Sequence, residues 1–131
     1  MGQSKSEVYK EEFAHVFSKK AFRVRGAVVI SALIEGQVLL LAESFLEERK
    51  VKLEQKGHRL RHRQALDILK YNGIITAEEH RNIDHFQKER NRSIHGPFKG
   101  MTRTEWEEQN NNVVELGRPI VEILDKKLFP V

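Results

Sequence analysis

The chain has 131 residues, 39% hydrophobic and 32% charged, which is enough apolar material for one buried core and too much for a disordered segment. It contains no cysteine, which excludes disulfides and thiolate zinc sites within it. A net charge of +4 is compatible with a nucleic-acid partner but does not demonstrate one.

Eight glycines and three prolines leave long stretches without a breaker, which favours a few long helices over many short strands. The opening residues MGQSKSEVYKEEF have no apolar core and no small-residue cleavage site, so a signal peptide is not expected. A first helix is expected from Ser6 to Lys20, with Tyr9, Phe13, Val16 and Phe17 on one face. A second, long helix is expected from Phe22 to Lys50. It is apolar on most sides between Ala27 and Leu46, a pattern that belongs in the middle of a bundle. The stretch Val24 to Leu46 has the length of a membrane span, yet it carries Arg25, Glu35, Gln37 and Glu43, which are costly in hydrocarbon. The expectation is a buried helix of a cytoplasmic protein, with no membrane partner.

The run from Arg49 to Arg63 is dense in Lys and Arg, with Glu54 its single acid and Gly57 marking a helix end. Lys50, Lys52, Lys56, Arg59, Arg61 and Arg63, with Arg92 further on, are candidates for an electrostatic track along a nucleic-acid backbone. A solvated loop and helix start accounts for the same run, and without interleaved aromatics it offers no base stacking. A third helix follows on Leu60, Ala65, Leu66, Ile68 and Leu69, and stops at the cap pair Asn72-Gly73. Thr76 and Glu79 form a capping box that opens a fourth helix, which ends at His95-Gly96-Pro97 with Gly96 as the cap. Thr104 and Glu107 form a second box for a fifth helix, whose core face is Trp106, Val113, Ile120, Leu124 and Leu128. A kink or break is expected near Gly117-Arg118-Pro119. The sum is an all-α, antiparallel bundle of four to five helices, one domain over residues 1–131.

At 100° per residue, Ile83, Phe86 and Ile94 define an apolar stripe on the fourth helix, and Arg90 falls at its centre. A guanidinium cannot lose its charge, so it needs an anionic or carbonyl partner there. Two readings stand: a structural ion pair, with Glu35 of the second helix as the obvious acid, or a phosphate-binding group lining a cleft. Asn91 and His95 lie one turn apart on the surface of this helix. His95 in the last turn is either a capping histidine or an acid–base group.

The segment Arg90-Asn91-x-x-x-His95-Gly96 resembles the motif of the HEPN family of helical bundles. That resemblance implies a homodimer whose two motifs face each other across a cleft, and metal-independent cleavage of RNA of the toxin or defence type. Arg90 would then hold the scissile phosphate, His95 would act as general acid or base, and Asn91 would orient either. Where some toxin members carry a tyrosine two residues after the His, this chain has Pro97. The segment Leu66 to His80 and the opening Arg25 to Ser31 are similar to the mannitol operon repressor family, which implies the same bundle in a catalytically inactive regulator. An antitoxin or regulatory protein is the further partner expected, and no cofactor.

Other constellations carry less. Glu12-x-x-His15 has the spacing of a di-iron half-site but no second half-site exists, and the pairs His58/His62 and His80/Asp84 lack a third ligand, so these two pairs are expected to be ordinary surface residues. A helix-turn-helix around Leu60–His95 is less consistent with Tyr71 to Thr76 than a bundle connection is. No phosphate loop, nucleophile elbow or dinucleotide fingerprint occurs.

Overall fold

The structure, a computed structural model, describes residues 25–49 and 60–130. Among these residues the chain is all helical, with no strand: α1 (Arg25–Glu48), α2 (His62–Tyr71), α3 (Ala77–His95), a single 3₁₀ turn (Gly96–Lys99) and α4 (Arg103–Leu128). The helix expected over Ser6–Lys20, with Glu12, His15 and the first residues expected in α1, lies outside the described residues, as do Lys50, Lys52, Lys56, His58 and Arg59.

The core is assembled from one stripe of each helix. Ala27, Ile34, Val38, Leu41 and Ala42 of α1 meet Ala65, Leu66 and Leu69 of α2, Ile83 and Phe86 of α3, and Val113, Ile120 and Leu124 of α4. The helix α3 runs antiparallel to α4, since Ser93 meets Trp106 while Glu79 meets Lys127. By contrast α1 lies along α4 in the same direction: Gly26 sits against Val114, Gly117 against Ile30, and Gln37 donates to the Val121 carbonyl at 3.0 Å. The expected antiparallel arrangement therefore describes the α3–α4 pair, not the α1–α4 pair. Gly117 allows that close approach, because a Cβ there would stand 2.7 Å from Ile30 and 2.9 Å from Phe86.

Local signals set the helix ends. At the end of α2, Gly73 adopts φ 71°, its N–H donates to Lys70 O and the Ile74 N–H reaches back to Leu69 O. This is a Schellman closure, and it brings Ile74 beside the buried Leu69. Thr76 and Glu79 exchange the two bonds of a capping box, at 3.0 and 2.8 Å. Such a cap is worth about 1 kcal/mol.

Four expectations change. The cap of α4 is Thr102 with Glu105, two residues before the Thr104 pair, because Thr-x-x-Glu occurs twice in succession and Gly100, at φ 87°, turns the chain just ahead of the first copy. Gly96 is right-handed, not a left-handed cap, and the chain passes through it into the 3₁₀ turn before Gly100 reverses it. No break occurs at Pro119, and α4 stays one helix. The carbonyl orphaned by proline belongs to Glu115, and both residues are exposed, so water can take the lost bond. Finally, α1 is not surrounded: Val28, Val29, Leu33 and Leu40 are exposed along one side. By length and composition it is a helix that can cross a membrane, but its opposite side is packed into the bundle.

Candidate functional site

The face α3 turns inward is rotated from the expected one. Ile83 and Phe86 are buried as anticipated, but the next buried residue is Ser93, and Ile94 is exposed. The cause lies on α4. The Trp106 indole N–H donates to the Ser93 carbonyl, and its ring lies where a Cβ on Gly96 would stand 2.7 Å away. That contact needs a glycine at 96, and it draws the Ser93 side of α3 toward α4. On the same flank Gln109 donates to the Glu89 carbonyl at 3.0 Å and to the Glu89 carboxylate at 2.7 Å.

Arg90 is thereby placed at the edge of the buried face that looks toward α1. Its Nη2 lies 3.5 Å from Glu35 Oε1, so the acid singled out in the sequence is its partner. The pair is not sealed: the Arg90 side chain is 23% exposed and that of Glu35 40%. A single long contact at this exposure is worth at most about 1 kcal/mol. The Arg90 Nε is buried with no hydrogen-bond partner.

His62 completes the group. It is the first residue of α2, begun where the Arg61 N–H donates to Gln64 Oε1 at 2.9 Å. Both ring nitrogens are buried without a hydrogen-bond partner. Burial pushes its pKa below the ordinary histidine value; the Glu35 carboxylate opposes this and the Arg90 cation adds to it. His62 is thus half-buried with its ring nitrogens inside, where an ordinary surface residue is expected. The signal was present in the sequence: His62, Ala65, Leu66 and Leu69 share one face at helical spacing, so His62 opens the buried stripe of α2.

Asn91 and His95 are exposed on α3, and among the described residues neither is hydrogen-bonded to Arg90. Thus α1, α2 and α3 bring Glu35, His62 and Arg90 together, while Asn91 and His95 stand outward beside them. Arg61 and Arg63 are exposed at the start of α2. Arg92 is exposed but engaged, with Nη1 3.0 Å from the same Glu89 carboxylate that Gln109 holds. Asp84, paired in sequence with His80, binds Lys88 at 3.3 Å instead. Among the described residues no three His, Asp or Glu side chains are grouped to hold a metal ion. No family model, curated protein or solved structure matches the chain.

Proposed function

We propose that this bundle is a HEPN-like RNA-binding domain of the cytoplasm that acts as a metal-independent endoribonuclease, as a homodimer with a composite site, under an antitoxin or regulatory partner. One observation carries the reading: Arg90 is held by Glu35 through a single long contact, keeps part of its side chain in solvent, and stands on a helix that presents Asn91 and His95 outward. A guanidinium so held retains donors for a phosphate oxygen.

In this mechanism Arg90 binds the phosphodiester and stabilises the charge that grows on it. His95 takes the proton of the ribose 2′-hydroxyl as its oxygen attacks phosphorus. The bond from phosphorus to the 5′-oxygen breaks, that oxygen takes a proton from solvent, and a 2′,3′-cyclic phosphate remains. Asn91 orients the phosphate, and Glu35 is a positioning residue for Arg90. Arg61 and Arg63 extend the cationic surface along the strand.

The Glu35–Arg90 pair itself favours a second reading, a catalytically inactive regulator or protein-interaction bundle in which Arg90 only joins α1 to α3. Incubating the full chain with a mixed-sequence RNA in EDTA separates the two. A nuclease yields cyclic-phosphate ends, and Arg90→Ala and His95→Ala each reduce cleavage about a hundredfold or more with melting temperature nearly unchanged for His95→Ala. No cleavage by the parent chain, with Arg90→Ala lowering only the melting temperature, overturns the nuclease reading.

A further inference from the structure

The two sides of α1 differ in what meets them. Ala27, Ser31, Ile34, Val38, Leu41 and Ala42 are buried against the other helices. On the opposite side Val28, Val29, Leu33 and Leu40 are between 46% and 52% exposed, and no described residue covers them. Ala32 and Gly36 lie among them, and a Cβ built on Gly36 meets no atom within 4 Å. Isolated exposed leucines are ordinary, but a continuous apolar strip along one helix marks an interaction surface.

The charges at the ends of this strip indicate its occupant. At 100° per residue, Arg25, Val29, Gly36, Leu40, Glu43 and Glu47 fall within about 60° of one another. The single cation is at one end and the two acids are at the other, with no charge between them on that line. A pattern of this kind is complementary to itself when reversed. Antiparallel pairing of two copies about a two-fold axis near Ile34 sets Arg25 of each opposite Glu43 of the other, and Ala32 opposite Gly36, where the absent side chain allows close approach. Isologous contacts require such self-complementarity.

We infer that a second copy of this chain docks on the Val29–Leu33–Gly36–Leu40 face of α1, antiparallel, with Arg25 of each chain against Glu43 of the other. A lipid bilayer is a poorer occupant, because the opposite side of the helix is already packed on protein and Glu35 and Gln37 flank the strip. The inference stands on the exposed face of α1 alone, independently of the nuclease reading.

The test is the mass of the full chain by sedimentation equilibrium, with cleavage measured separately so that loss of one is not mistaken for loss of the other. The parent chain is expected to be a dimer at micromolar concentration. Leu33→Glu, at an exposed position, gives a monomer with unchanged helical circular dichroism. Arg25→Glu and Glu43→Arg alone each place like charges opposite and weaken dimerisation about tenfold or more. Mixed together they restore it, because the pair of variants has both contacts complementary. A parent chain that stays monomeric overturns the proposal. Flotation of a monomer with phosphatidylglycerol vesicles overturns it in favour of a membrane. A dimer indifferent to Leu33→Glu, or a mixture no tighter than its components, overturns it as well.

Discussion

The junction of α3 with α4 and the meeting of α1, α2 and α3 around Arg90 are built from similar materials and finished differently. At the first, the Trp106 N–H has the Ser93 carbonyl, the Gln109 amide has Glu89, and Gly96 admits the indole ring. Ser93 Oγ, at the same junction, is buried without a hydrogen-bond partner. At the second, two imidazole nitrogens and a guanidinium Nε lack partners, and the ion pair beside them is long and partly exposed. Leaving a buried polar nitrogen unpaired costs about 1–3 kcal/mol. The first region is closed by hydrogen bonds between α3 and α4, and the second holds the Arg90 on which the proposed function rests.

That division predicts unequal responses to mutation. Trp106→Ala removes a buried ring and the Ser93 bond together, and is expected to destabilise by about 3–5 kcal/mol in chemical denaturation. Gly96→Ala should be costly too, since its methyl would stand 2.7 Å from the indole and 2.8 Å from Met101 Sδ. A loss under 1 kcal/mol for either would remove the junction from its structural role.

A double-mutant cycle on Glu35→Gln and Arg90→Met should give a coupling of about 0.2–1 kcal/mol, as befits a partly exposed pair. Coupling of 3 kcal/mol or more, the range for a sealed pair, would make Arg90 a structural strut and take away the basis for a phosphate site.

How much of this was legible in the sequence depends on the range of each signal. The Schellman closure at Gly73 and the Thr76–Glu79 box are local, and the residue types alone specify them. The α4 cap is ambiguous in the sequence, because Thr102 and Thr104 offer the same spacing and only the turn at Gly100 chooses between them. The rotation of α3 was invisible, because it is set by Trp106, thirteen residues on from Ser93. The Glu35–Arg90 pair was legible because two charges in apolar stretches need each other. His62 reads as surface when weighed only as a metal ligand with His58, although its helical spacing to Ala65, Leu66 and Leu69 sets it at the start of the α2 stripe. The open side of α1 left no trace in the pattern, because a helix apolar all round reads as central whether or not something covers it.

The gentlest probe of the Arg90 region is acid. Burial, with Arg90 assisting and Glu35 opposing, places the folded pKa of His62 below its unfolded value of about 6.5. Between those two values the unfolded chain binds a proton that the folded chain refuses, so stability falls as pH drops through that window. Above the upper value both states hold a neutral ring, and His62 contributes no slope. Replacing His62 with Gln should flatten the dependence of melting temperature on pH in the window while leaving the plateau above it nearly parallel. Proton NMR of the ring gives the direct reading. Arg90→Met should move the titration upward and Glu35→Gln downward, since each removes the influence of its own charge. A His62 that titrates at or above 6.5, insensitive to both changes, would place it in solvent away from the pair, and the region would no longer differ from an ordinary surface.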